Sequence, residues 1–199
     1  MRRIIGIVIA LVALTAGGAA AQNEFVVVAG GCFWCVEEAF DKHEGVLSTT
    51  SGFSGGQVAN PSYRQVTAGG TGHLEVVRIE YDPARISFDE VLHVYWRNVD
   101  PFDADGQFCD RGDIYATAIF YVTEEQRRAA EVSKRELEQR FGNSIATDIR
   151  SFTEFYRAEE YHQDYYNKNP IRYRFYRTAC GRYARLDEVW GNEARGEDM

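Results

Sequence analysis

The sequence of this 199-residue chain predicts an α+β two-layer sandwich. Three observations point there. Runs rich in β-branched and aromatic residues alternate with segments of helical spacing, in the order β-α-β-β-α-β-α-β. The second and third strands are joined by a loop alone, which argues against a wholly parallel sheet and for mixed connections. Hydrophobic residues make up 45% and aromatics 14%, enough for the packed core of a single domain.

The elements follow in order. Arg2 and Arg3, an apolar run from Ile4 to Leu14 and the small residues Ala19, Ala20 and Ala21 read as a signal peptide over residues 1–21. The apolar run is short for a membrane span, so the membrane is met only through this export signal. Cleavage leaves a single domain over 22–199, periplasmic or secreted. Phe25–Val28 is the first strand, and Val36–His43 a helix. Val46–Phe53 is a weaker strand pattern running into Gly55-Gly56. Leu74–Tyr81 is a strand, and Ser87-Phe88-Asp89-Glu90 a capping box opening an amphipathic helix that reaches Val99. Tyr115–Val122 is a strand. Thr123 opens a helix in the same way, running to Phe141 and ending at Gly142. Ile145–Phe152 is the last strand, and the aromatic C-terminal third reads as irregular. Within it, Arg172-Tyr173-Arg174-Phe175-Tyr176-Arg177 reads as an extended segment with aromatics inward, and residues 191–199 as a frayed tail.

Charge narrows the function classes. The formal charge is −8, and −10 once Arg2 and Arg3 are cleaved away. So acidic a surface repels phosphate backbones, and nucleic acid is not an expected partner.

The chemistry concentrates in Gly30-Gly31-Cys32-Phe33-Trp34-Cys35. A thiol at a strand-to-helix junction meets free N–H groups and the positive end of the helix dipole. Both favour a thiolate, so Cys32 is expected to have a depressed pKa and to act as a nucleophile. Two glycines ahead of it let the chain turn and leave the sulfur uncovered. Phe33 and Trp34 set apolar surface beside it, suited to a small apolar substrate group. Cys35, about one helical turn on, is placed to close a disulfide with Cys32. The competing readings are a structural zinc half-site and two small buried residues. Four cysteines in an exported chain allow three pairings, one of which leaves Cys109 with Cys180 as a staple.

By strand alternation Glu75 shares the face of Val77, Ile79 and Tyr81. If that face is the core, its carboxyl is desolvated, its pKa raised, and it can serve as a general acid. A twist or bulge turning it to water is the alternative. His73 reads as structural. Tyr63 and Tyr115 are two of twelve tyrosines, and Asp110 fits a turn as well as a site.

Taken together, the pieces closely resemble one family, the A-type peptide methionine sulfoxide reductases. The resemblance rests on Gly31-Cys32-Phe33-Trp34 with Glu37, Gly55-Gly56, Asn60-Pro61-Ser62-Tyr63, and Thr71-Gly72-His73-Leu74-Glu75-Val76-Val77. Asp110-Arg111-Gly112 with Tyr115, and Tyr161-His162-Gln163-Asp164-Tyr165, extend it to most of the chain. It implies a ferredoxin-like two-layer sandwich with a mixed sheet and C-terminal extension. It also implies that Cys32 attacks the sulfoxide sulfur and Glu75 protonates the oxygen, assisted by Tyr63 and Tyr115. Phe33 and Trp34 would hold the methyl group and Asp110 would orient the substrate. The sulfenic acid left on Cys32 becomes a disulfide, which a thioredoxin-like dithiol protein resets. No bound cofactor or metal is implied. The implied substrate is the S epimer, in oxidised proteins or peptides or free, acted on by a monomer.

Two features depart from the family pattern. Many members carry glycine where this chain has Cys35 and use a resolving cysteine near the C-terminus. Here Cys35 is the nearer resolving candidate and Cys180 the alternative. Ile114-Tyr115-Ala116 also differs from the usual glutamine before the tyrosine and arginine after it. The rival function is an exported thioredoxin-like disulfide oxidoreductase using the CxxC. It would require a cis-proline loop opposite the cysteines, and none of the four prolines is so placed. A zinc-stapled binding module is the non-enzymatic rival.

Overall fold

A computed structural model describes residues 23–196, so the predicted signal peptide and the last three residues lie outside the described part. The described elements are β1 (Glu24–Gly30), α1 (Phe33–Asp41), β2 (Val46–Ser54), α2 (Tyr63–Thr67), β3 (Leu74–Tyr81) and α3 (Phe88–Arg97). There follow β4 (Gly106–Gln107), β5 (Asp110–Arg111), β6 (Thr117–Tyr121), α4 (Glu124–Phe141), β7 (Asp148–Ser151) and β8 (Tyr156–Arg157). The chain closes with α5 (Tyr165–Lys168), α6 (Pro170–Ala179) and α7 (Arg182–Trp190). Among the described residues no helix is long and apolar enough to cross a membrane.

The main sheet runs β7-β6-β1-β3-β2-β8. Its inner four strands, β6-β1-β3-β2, pair antiparallel throughout, and β7 joins β6 in parallel through the α4 crossover. The sheet is therefore mixed, as the ferredoxin-like expectation required. Alternation separates two apolar faces. Val26, Val28, Val77, Ile79 and Ile119 face the helices and form the main core with Phe40, Leu92 and Trp96. Val27, Ala29, Val76 and Phe120 face the other way, beneath Phe152 and Phe155. Full burial of each such aliphatic chain contributes about 1.5–3 kcal/mol.

Local signals hold where short-range physics decides. Ser87 caps α3 in a reciprocal box with Glu90, and α4 ends in the left-handed conformation at Gly142. Thr123 caps α4, but Gln126 does not complete the box. Its amide turns inward to Val122 N–H, the Phe25 carbonyl and the Tyr81 hydroxyl.

Three expectations are corrected. The strands expected over Tyr115–Val122 and Ile145–Phe152 shorten to β6 and β7, with Tyr115 in a 3-10 turn ahead of β6. Arg172–Arg177 is not extended but lies inside α6. Proline at its first position is pre-organised for a helix, and Tyr173 with Arg177, one turn apart, supply its buried face. The irregular third is thus largely helical. The tail is not frayed up to Gly196: Trp190 and Ala194 are buried, and the Trp190 indole donates to the Val99 carbonyl at 3.0 Å.

A disulfide joins Cys109 to Cys180 across 71 residues and ties α6 to the β4–β5 hairpin. Replacing both cysteines with serine is expected to lower the unfolding free energy by roughly 4 kcal/mol, through the loop entropy restored to the unfolded chain. Guanidinium unfolding reads this directly. A loss below about 1 kcal/mol would show that packing alone holds the extension.

Candidate active site

Strand direction explains why residues as far apart as Cys32 and Tyr115 meet. The antiparallel register pairs Gly30 with Thr117 and Phe53 with Glu75. The ends of β1 and β2 and the starts of β3 and β6 therefore share one edge of the sheet. Cys32 follows β1, Tyr63 lies beyond β2, Glu75 is the second residue of β3, and Tyr115 precedes β6. Gly31 makes the turn into α1 at φ +79°, where a Cβ would sit 2.5 Å from the Gln107 side chain. Gly56 is held as tightly: its N–H donates to His73 Nδ1, and a Cβ there would meet the ring at 2.5 Å. His73 is accordingly structural, its other nitrogen 2.8 Å from the Val58 carbonyl.

Cys32 occupies the N-cap of α1, as the motif suggested, but the inferred electrostatics are reversed. Its sulfur is not uncovered. The residue is 5% exposed, and burial drives its pKa well above the ordinary value, with Cys35 and Glu75 adding to the rise. Desolvation outweighs the helix dipole here because the thiol lies under α6 rather than at a wet helix end. The depressed pKa belongs to Cys35. A hydrogen bond from Cys32 lowers it most, and the guanidinium groups of Arg182 and Arg177 lower it further against the cost of burial. Tyr173 adds a smaller hydrogen bond in the same direction. Cys35 is thus the more acidic sulfur of the pair, and Cys32 the one that burial keeps protonated. Neither sulfur is in a disulfide.

Glu75 points inward. It is 2% exposed, lies on the helix-covered face and accepts the Phe33 N–H at 3.1 Å. Burial pushes its pKa up to about 8, so near neutral pH it is a protonated acid beside Cys32. Tyr63 and Tyr115 are half-buried and close enough to influence one another's ionisation. Burial, with Glu75 next in effect, raises both phenols, Tyr63 to about 12, so both keep their protons as donors. No β-bulge turns Glu75 outward: β3 pairs with β2 without interruption at that end, Phe53 opposite Glu75.

Phe33 and Trp34 divide their work. Phe33 is 1% exposed and backs the site, against Phe53, Tyr63 and His162. Trp34 remains partly accessible, stacked on Tyr165 at 3.7 Å with its indole N–H on His162 Nδ1 at 3.1 Å. Burial lowers the His162 pKa to about 4, so the ring is neutral and its Nδ1 is free to accept. Gln163 pins this segment to β2 by bonding both the N–H and carbonyl of Ser51, while Glu37 accepts the Asp164 N–H. The motif Tyr161–Tyr165 was visible in the sequence; its role as the aromatic backing was not.

Asp110 does lie at the site, but it does not stand open. It accepts the Tyr176 hydroxyl, and Tyr176 also interacts with Cys32. Tyr176, Tyr173, Arg177 and Arg182 escaped the sequence reading because the Arg/aromatic alternation reads as a strand. Pro170 was the signal against that reading. Cys180 is corrected as a direct resolving group, since its sulfur is already bonded to Cys109. That disulfide lies at the rim, its sulfurs within 4.8 Å of an Asp110 carboxylate oxygen.

Comparison with known proteins agrees with this geometry. The sequence profile described as "Peptide methionine sulfoxide reductase" matches residues 24–194. Peptide methionine sulfoxide reductase MsrA 2 of Rhizobium meliloti (strain 1021) is 47% identical over 175 residues, 88% of this chain and 87% of the relative. Among solved structures, reduced Mxr1 from Saccharomyces cerevisiae superimposes with TM-score 0.72 at 30% identity, covering 81% of this chain and 93% of that one. Methionine sulfoxide reductase A of Corynebacterium diphtheriae gives 0.69 at 32%, covering 77% and 78%. A buried dithiol, a protonated carboxyl and two phenols on one sheet edge thus sit in a chain that belongs to the peptide methionine sulfoxide reductase family, the oxidoreductases named MsrA.

Proposed function

We propose that this reductase acts on the S epimer of methionine sulfoxide, free or in oxidised proteins, through Cys32, Glu75, Tyr63 and Tyr115. The observation that carries the reading is the buried Glu75 carboxyl held on the Phe33 N–H, next to Cys32, with the Tyr63 and Tyr115 phenols near enough to feel its charge. A sulfoxide needs a nucleophile at sulfur and a proton at oxygen, from opposite ends of one polar bond. Cys32 attacks the sulfur as its proton passes to Cys35, the acceptor of its hydrogen bond. Glu75 protonates the oxygen, and the two phenols hydrogen-bond to it. Trp34 and the backing Phe33 receive the methyl group, and Asp110 orients the residue once Tyr176 gives way. Oxygen leaves the thioether for Cys32, releasing methionine and a sulfenic acid. Comparing turnover of the two purified sulfoxide epimers tests this; equal rates would sink the stereochemical claim.

Cys35 resolves the sulfenic acid, and a dithiol protein of thioredoxin type reduces the resulting disulfide. The solved complex of yeast Mxr1 with Trx2 supports such a partner. Cys35→Ser is expected to release about one methionine per enzyme and then stall. Normal cycling with a dithiol protein would instead pass the resolving step to the Cys109–Cys180 pair. Export is supported by the residue pattern of 1–21 and by that disulfide, which belongs in an oxidising compartment. Expression with and without residues 1–21, followed by cell fractionation, tests it.

A further inference from the structure

Arg182 is 2% exposed, yet its hydrogen bonds go to neutral groups, the Asn98 carbonyl at 2.6 Å and the Gly30 carbonyl at 3.4 Å. Its Nε is buried with no partner, and its guanidinium lies over the Phe108 ring at 4.4 Å. No carboxylate pairs with it among the described ion pairs, whereas buried Arg177 is paired with Glu38. A buried cation without a counter-charge is poorly solvated, so an anion within its reach is strongly favoured. Three ionisable groups feel its charge, Asp110, Cys35 and Tyr173, and burial keeps the Tyr173 phenol protonated. Asp110 is already engaged by Tyr176.

We propose that Arg182 is a positioning residue: its buried guanidinium fixes the negative charge of the dithiol on Cys35, and so decides which sulfur leaves when the Cys32–Cys35 disulfide is reduced. The groups facing Cys35 are Cys32 from the turn before α1, Glu75 from β3, Tyr173, Tyr176 and Arg177 from α6, and Arg182 from α7. Arg182 is the larger of the two cationic influences, and no cation acts comparably on Cys32. The consequence runs through both exchange steps. Cys35, which took the Cys32 proton during the attack on the sulfoxide, gives it up to the departing oxygen as its sulfur attacks the sulfenic sulfur of Cys32; the S–S bond forms, the S–O bond breaks, and the oxygen leaves as water. An external dithiol then attacks the Cys32 sulfur. The S–S bond breaks and Cys35 departs with the electron pair, because the better stabilised thiolate leaves faster. The donor's second thiol completes the exchange and frees Cys32, two electrons having passed from donor to enzyme.

This rests on Cys35 as the resolving residue, but its first test does not need turnover. In a Cys32→Ser background Cys35 is the sole free thiol, and its ionisation is followed by thiolate absorbance. Arg182→Met is expected to raise the titration midpoint by about one pH unit or more, and Arg182→Lys to restore most of it. A midpoint unmoved in folded Arg182→Met overturns the proposal. Should that variant not fold, the unsubstituted enzyme decides. Its Cys32–Cys35 disulfide is opened with glutathione, acid-quenched and mapped by peptide mass spectrometry. Glutathione on Cys32 is the expected result, and an adduct predominantly on Cys35 overturns the proposal. If methionine sulfoxide instead leaves no Cys32–Cys35 disulfide, the resolving assignment fails while the titration still judges Arg182.

Discussion

Cys32→Ser is expected to abolish sulfoxide reduction, with turnover falling by a factor on the order of 10⁴ or more. The oxygen lost by the substrate must be received by a sulfur, and a serine hydroxyl cannot take it. Serine is itself a good N-cap, so α1 has no reason to unravel and a fold defect does not account for the loss. Methionine release measured chromatographically reads the result, with thermal melting as the control. Turnover retained at more than about one part in a hundred would move the attacking sulfur to Cys35. That outcome is a sharp one, because Cys35 is the more acidic sulfur of the pair.

Glu75→Gln is the second large effect, a loss of about 10²–10⁴ in the reduction step at neutral pH. The amide keeps the shape and can still accept the Phe33 N–H, but it has no proton to give. The pH dependence carries a definite sign. The folded pKa is raised, to about 8, so the acid is present below that value and is lost as pH rises through it. The reduction rate of the parent enzyme should fall across that window, and Glu75→Gln should lose that limb. Stability follows the same linkage. Native Glu75 holds its proton between the ordinary glutamate pKa and about 8 while the unfolded chain has released it, so stability falls as pH rises through this range. Relative to the parent, the glutamine variant therefore gains stability as pH rises from the ordinary glutamate pKa to about 8, and keeps that gain above it. A single-turnover rate unchanged at pH 7 would reject the acid role.

How legible the site was depended on the range of the forces involved. Glu75 was readable as inward-facing because strand alternation is a property of the backbone, and its neighbours Val77, Ile79 and Tyr81 are buried as the pattern required. The caps Ser87 and Thr123 were readable because a hydroxyl reaching a backbone N–H three residues on is a local event. The α6 segment was misread for the converse reason. Arg172–Phe175 satisfies a two-residue period, and beyond the local signal of Pro170 it is the packing of Tyr173 and Arg177 over Glu38 and Cys35 that selects the helix. The terminal helices failed to look ordered because their partners, such as Val99 and Arg97, lie about ninety residues earlier.

What the residues by themselves determined is the set of reacting groups: a CxxC at a strand-to-helix turn, an inward carboxyl, and the phenols that follow the same order. Tertiary structure decided where the charge resides. A helix dipole acting alone would have ionised Cys32. Burial beneath α6 withdraws that sulfur from water, while Arg177 and Arg182, brought from the far end of the chain, draw the anion to Cys35. A thiol's acidity is set by solvation and by the charges near it in space, and neither is written in neighbouring residues.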